Sequence, residues 1–191
     1  AGVDRTSRLV NQLLTMARLE PRPDPPPLQR IDLSETVRNS LVQLTPWLLS
    51  KQLELAFDDS AQPFNVMASA AAIDIALNNL ITNAANFSPE HGVITVKLSQ
   101  AEGFYHLSVE DQGPGIDDAD QARLFERFYS RGNAQGAGLG LTIVNTIATR
   151  LGGRITLANR AEGGLRATLS IPERSSHPAS PRSTREPPGR A

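Results

Sequence analysis

Apolar residues recur along this chain in two rhythms. One repeats every three or four positions, as on a helix with one buried face; the other alternates, as on a half-buried strand. In RLVNQLLTMARLE, Val10, Leu13, Leu14 and Ala17 fall at i, i+3, i+4 and i+7, which predicts a helix over residues 1–20. A second helix starts at Asp32-Leu33-Ser34-Glu35 and runs to about residue 50, with Asp32 as N-cap and Glu35 closing a capping box. A third spans about Ser69 to Phe87, where Ile73, Ala76, Leu77, Leu80, Ile81 and Ala84 hold the helical period. A fourth runs from Leu139 to Leu151 and stops at Gly152-Gly153. LELAF reads as a strand, and a short one is expected near Val66 and Met67. VITVKLSQ and YHLSVED alternate around an AEGF turn, and RITLANR and LRATLSIP form a hairpin through AEGG.

Helices alternating with antiparallel hairpins, instead of strict βαβ units, predict an α+β fold. The expected architecture is a two-layer α/β sandwich, with one mixed, mostly antiparallel sheet covered on one face by about three helices. Residues 21–30 (PRPDPPPLQR) carry five prolines and are read as a semi-rigid linker. They divide the helix at 1–20 from a domain at 31–172. That first helix would be marginal alone and is expected to pack on a helix missing from this sequence or on a second chain, the plainer alternative being that it docks on its own domain. Residues 173–191 contain four prolines, four arginines and no large apolar residue, so a disordered tail is expected.

Composition narrows the function classes. A formal net charge of -1 over 191 residues gives no general attraction to nucleic acid or membrane. The absence of cysteine excludes disulfides and thiolate metal sites, and three histidines far apart in sequence do not make a zinc site. No apolar run approaches the ~20 residues of a membrane span, nothing at the start resembles a signal peptide, and the chain as given is expected to be soluble.

Candidate chemistry concentrates in residues 111–141, which hold six of the 14 glycines: Gly113, Gly115, Gly132, Gly136, Gly138 and Gly140. They form a D-x-G-x-G cluster and a G-x-G-x-G cluster on either side of the aromatic segment FERFY. Glycine lets another molecule approach the backbone closely. Asp111 could accept a hydrogen bond from the amino group of a base, while N–H groups at the following helix N-terminus could meet phosphates. This stretch reads as an ATP site with a lid. Asn79, Asn83 and Asn86 recur at i, i+4 and i+7, a polar stripe whose amide oxygens can bind Mg²⁺ and whose NH₂ groups can bond phosphate. Taken singly, each feature has a plain structural use: a solvated helix face, a tight turn, a closely packed helix start. Neither glycine cluster is a Walker A loop, because no Gly-Lys-Ser/Thr follows.

The order N-L-x-x-N-A, D-x-G-P-G-I, F-E-R-F-Y, G-x-G-L-G-L resembles the N, G1, F and G2 boxes of the sensor histidine kinases of two-component systems. The resemblance covers about residues 31–172 and implies a Bergerat ATP-binding fold. It extends to residues 1–20, which look like the second helix of the dimerisation and phosphoacceptor domain. It implies that Asn83 coordinates Mg²⁺ and that Asn79 contacts phosphate or bound water. By the same resemblance Asp111 bonds the adenine amino group, Gly113 and Gly115 pass close to the base, and Ile116 and Phe87 line its pocket. Gly136, Gly138 and Gly140, with Ala137, Leu139 and Leu141 among them, would hinge the lid and present amides to the triphosphate. Phe125 and Phe128 would anchor that lid.

Two positions depart from the family pattern. The Lys or Arg usual three residues after the metal-binding Asn is Asn86, and the Arg usual after F-x-x-F-Y is Ser130, with Arg131 one place later. Arg127 or Arg131 is the candidate replacement cation. None of His91, His106 and His177 sits in the H-E/D-x-R/K-x-P setting of the family's phosphoacceptor. The resemblance therefore implies an ATP- and Mg²⁺-dependent protein-histidine kinase domain whose acceptor His lies on a segment absent here. The implied partners are that segment in a homodimer of the parent, and a response regulator receiver domain. No nucleic acid is expected. The fragment is expected to be cytoplasmic, its parent at the cytoplasmic face of a bacterial inner membrane. The alternative is a degenerate ATP-binding or docking module without phosphotransfer.

Overall fold

The structure, a computed structural model, describes residues 28–59, 64–117 and 140–173. The predicted helix at 1–20, most of the proline-rich linker, the FERFY segment and the tail after Glu173 lie outside the described residues.

The described chain runs β1 (Gln29–Asp32), α1 (Leu33–Ser50), β2 (Glu54–Asp58), β3 (Asn65–Ala68), α2 (Ala70–Phe87), β4 (Val93–Ala101), β5 (Phe104–Glu110), α3 (Gly140–Arg150), β6 (Arg154–Asn159) and β7 (Leu165–Pro172). Strands β2-β4-β5-β7-β6 form one sheet. The β2–β4 pair is parallel and the other pairs antiparallel, which gives the mixed, mostly antiparallel sheet expected. The same register carries the core. Val96 pairs with Val109, Leu98 with Leu107, Leu107 with Leu169, and Ile155 with Leu169, so every second residue of four strands points to one face. That face meets α2 and α3, whose buried residues include Ile73, Leu77, Leu80, Ile143 and Ile147. The period of 2 in the strands meets the period of 3.6 in the helices across one apolar layer.

Local signals end the elements where chemistry requires. Asp32 caps α1, its Oδ1 accepting from Ser34 N at 2.9 Å and Glu35 N at 3.3 Å. The return bond of a capping box is not made among the described residues, since Glu35 points to solvent. The β4–β5 turn places Glu102 and Gly103 at φ 52° and 76°, as a two-residue hairpin loop demands. Gly152, at φ 71°, ends α3. The chain passes so close to β7 at Gly153 that a Cβ there would lie 1.9 Å from Ser170 O.

One strand was not anticipated. Gln29–Asp32 begins inside the stretch read as linker and pairs antiparallel with β3, Ile31 facing Val66. Four residues, QRID, are too few to show alternation, and the prolines before them masked the change. Glu173, assigned to the tail, is likewise held: its N–H reaches Gly103 O at 2.9 Å and its carboxylate accepts from Gln100 Nε2 at 2.7 Å. Among the described residues no helix is long and apolar enough to cross a membrane.

Candidate functional site

Strand β5 alternates inward Tyr105, Leu107 and Val109 with outward His106, Ser108 and Glu110. The next inward position, just past the last strand residue, is Asp111. It is 4 % exposed, a carboxylate delivered to the rim of the apolar core by the strand period alone. Its Oδ1 accepts from Gly113 N at 2.8 Å and from Leu165 N at 3.1 Å. Burial pushes the Asp111 carboxyl above its ordinary pKa, and the two N–H bonds and the Arg160 charge offset only part of that.

The loop after Asp111 is pinned along its length. Gln112 Oε1 accepts from Val93 N at 2.9 Å. Gly113 runs so near the C-terminal end of α2 that a Cβ on it would lie 2.5 Å from Phe87 O. Gly115, at φ 72°, packs against the Asn159 amide. Asn159 Oδ1 accepts from Ile116 N at 2.8 Å while its Nδ2 donates to Ile116 O at 2.7 Å. Arg160 Nη1 donates to Asp111 O at 2.6 Å. Gly164 must be glycine, since a Cβ there would meet Asp111 O at 2.0 Å.

On the outward face, Glu110 is 3 % exposed and sits among cations: Arg166 Nε at 2.6 Å, Lys97 Nζ at 3.2 Å and Arg160 Nε at 3.6 Å. Burial alone would raise its pKa. The hydrogen bonds and charges of Arg166 and Lys97 outweigh it and hold the carboxyl below its ordinary value.

The other motif residues lie on α2 and α3. On α2, Asn79 Nδ2 donates to Ile75 O at 2.8 Å, and its Oδ1 lies 3.3 Å from where a Cβ on Gly140 would stand. Asn79 of α2 and Gly140 of α3 are therefore close neighbours. Asn83, one turn on, is half-buried, and its amide makes no side-chain hydrogen bond among the described residues; Asn86 is exposed. Phe87 and Ile116 are half-buried, and Ile116 packs on the core. Leu141 is buried in that core, so its side chain serves packing. Phe125, Arg127, Phe128, Arg131, Gly136, Ala137, Gly138 and Leu139 lie outside the described residues. His91 occupies a turn at φ 61°, and His106 Nδ1 lies 2.9 Å from Ser170 Oγ. No three His, Cys, Asp or Glu among the described residues converge on a metal-sized site.

Sequence reading missed Asn159, Arg160, Gly164 and Leu165. A signal existed for the first: after Ile155 and Leu157, Asn159 is the next position on the inward side of β6, a polar residue closing an apolar alternation just as Asp111 does.

A buried acid at the end of a central strand, glycines against it and a helix opening beside an asparagine stripe define a nucleotide-binding α/β sandwich. Comparison with known proteins makes the class specific. Residues 68–175 match the family described as histidine kinase-, DNA gyrase B-, and HSP90-like ATPase. The Escherichia coli (strain K12) sensor protein CreC is 38% identical over 170 residues, which cover 87% of this chain and 35% of that protein. Among solved structures, the mycobacterial sensor histidine kinase MprB is 30% identical with a TM-score of 0.66, covering 76% of this chain and 97% of that one. Full-length ShkA in complex with AMPPNP is 29% identical with a TM-score of 0.75, covering 86% of this chain and 35% of that one. The chain belongs to the histidine kinase-, DNA gyrase B-, and HSP90-like ATPase family, and is an ATP-binding catalytic domain of the sensor histidine kinase type. It spans about a third of the length of relatives such as CreC.

Proposed function

We propose that this chain binds Mg-ATP between α2, the 111–116 loop and the start of α3, and passes the γ-phosphoryl group to a histidine nitrogen on a dimerisation helix. The supporting observation is that α2 meets both other motif segments: Phe87 lies against Gly113 beside Asp111, and Asn79 lies against Gly140.

Both backbone bonds to Asp111 land on Oδ1. Oδ2 is then the acceptor for the adenine amino group, and the fixed carboxylate disfavours guanine, which presents the acceptor O6 instead. Phe87 and Ile116 flank the base, while Gly113 and Gly115 keep the wall thin. The N–H groups of Gly140 and Leu141, at the described start of α3, would meet phosphate oxygens, which a helix N-terminus favours. Asn79 bonds phosphate or bound water. A neutral amide at Asn83, with no carboxylate cluster among the described residues, fits Mg²⁺ held mainly by phosphates and water. The metal would supply charge neutralisation on the phosphates.

The chemistry asks little of the protein beyond position and electrostatics. A neutral imidazole nitrogen forms the N–P bond as the bond from γ-phosphorus to the β–γ bridging oxygen breaks, ADP leaves with that electron pair, and the ring loses a proton. Asn86 is neutral, so the cation near the transferring group falls to Arg127 or Arg131 of the lid, which Phe125 and Phe128 anchor and Gly136, Ala137, Gly138 and Leu139 hinge. Residues 1–20 act as the second dimerisation helix, 21–28 as the linker and the residues after Glu173 as a tail. A response regulator receiver aspartate takes the phosphoryl group next, and the parent protein is a sensor at the cytoplasmic face of a bacterial inner membrane.

The test mixes the chain with a separately produced acceptor-helix domain of the same parent, γ-labelled ATP and Mg²⁺. Acid-labile, base-stable label on the acceptor, lost in Asn83→Asp, is the expected result. ATP binding without transfer of label would overturn the kinase reading.

A further inference from the structure

We propose that Asn159 is a positioning residue of the base site, setting the geometry of the 111–116 loop and thereby the affinity and selectivity for adenine. This rests on the nucleotide-binding reading above. The Asn159 amide satisfies both backbone groups of Ile116, accepting its N–H and donating to its C=O. It therefore acts on that residue as a neighbouring strand would, 43 positions away in sequence. The next residue, Arg160, grips the other end of the loop through Asp111 O. One dipeptide at the end of β6 thus fixes both the residue carrying the base-recognising carboxylate and the residue lining the ring.

The grip is rigid because its own backbone is closed. Arg160 N bonds Gly164 O at 2.9 Å and Gly163 N bonds Arg160 O at 3.1 Å, forming a tight turn from which Leu165 N also reaches Asp111 Oδ1. Gly115 leaves the space that the Asn159 amide needs. Among the described residues, none of these hydrogen bonds reaches the α2 asparagines or Gly140. Loss of Asn159 should loosen the base end of the site and leave the phosphate end as it was.

Adenosine, ADP, ATP and GTP are titrated calorimetrically into the full 191-residue chain and its Asn159→Ala and Asn159→Asp variants, with folding checked by circular dichroism. Asn159→Ala, losing two modest hydrogen bonds, is expected to weaken adenosine, ADP and ATP by the same factor, about tenfold. The preference for ATP over GTP should narrow. Asn159→Asp keeps the acceptor for Ile116 N–H and should recover part of the loss, and it carries the test alone if Asn159→Ala does not fold. Wild-type affinity and selectivity in a folded variant would overturn the proposal, as would a loss that grows with the number of phosphates. A wild-type chain that binds no adenine compound would overturn the nucleotide-binding reading itself, and this proposal with it.

Discussion

Asn79 Oδ1 stands 3.3 Å from the point where a side chain on Gly140 would begin, so Asn79 of α2 and Gly140 of α3 lie side by side. The two inner asparagines of the α2 stripe are in different situations. Asn79 is tied to Ile75 O, whereas the Asn83 amide has no side-chain bond among the described residues. Asn79→Ala should therefore cost about 1 kcal/mol in folding stability. Asn83→Ala should stay within about 0.5 kcal/mol of wild type yet lower ATP affinity about tenfold in Mg²⁺, the equivalent of about 1.4 kcal/mol, with little change in EDTA. Urea unfolding and ATP titration with and without the metal separate these. An Asn83→Ala protein that unfolds earlier but binds normally would assign the residue a structural role only.

Gly163 and Gly164 make a matched pair. Both have positive φ, 89° and 93°, but a Cβ on Gly163 would meet nothing within 4 Å while one on Gly164 would meet Asp111 O at 2.0 Å. Gly163→Ala should cost about 1–2 kcal/mol from backbone conformation alone. Gly164→Ala adds overpacking and should cost about 3 kcal/mol or more, with loss of nucleotide binding because Asp111 must move. Equal unfolding midpoints for the two variants would mean that the 160–164 turn does not press on Asp111.

Neighbouring acids should give opposite pH slopes. The raised pKa of Asp111 means that its contribution to stability is fully present below the unfolded aspartate value and is lost as pH rises through the folded value. The lowered pKa of Glu110 means that its contribution is present above the unfolded glutamate value and is lost as pH falls through the folded one. Asp111→Asn should accordingly gain stability relative to wild type as pH is raised from about 3 to 7, and Glu110→Gln should lose it. Urea midpoints across that range check both signs. Nucleotide affinity should also weaken on acidification, because protonated Asp111 is a poorer acceptor for an amino group.

The sheet and its helices were legible because their apolar periods are long and unbroken: Ile73 to Ala84 on α2, and Ile94, Val96 and Leu98 on β4. Asp111 was legible because a strand, an acid and two glycines follow one another. What stayed hidden lay in pairings distant in sequence. Strand β1 has no pattern of its own and exists by pairing with β3. The Asn159–Ile116 bridge joins residues whose neighbours say nothing of each other, apart from the odd polar residue on the inward side of β6. Burial of Leu141 was hidden too, since a glycine-flanked leucine looks alike whether it serves the core or a ligand.

The central claim is that Asp111 reads adenine. Because Gly113 N and Leu165 N both donate to Oδ1, an asparagine at this position would place its oxygen there and turn its NH₂ toward the ligand. That group opposes the adenine amino group and suits guanine O6. The most direct measurement is a calorimetric titration of ATP and GTP into wild type and Asp111→Asn at neutral pH. The expected result is ATP preference in wild type, with an approximately hundredfold loss of ATP affinity in the variant and a shift of preference toward GTP. Unchanged ATP affinity in a folded Asp111→Asn protein would contradict the account.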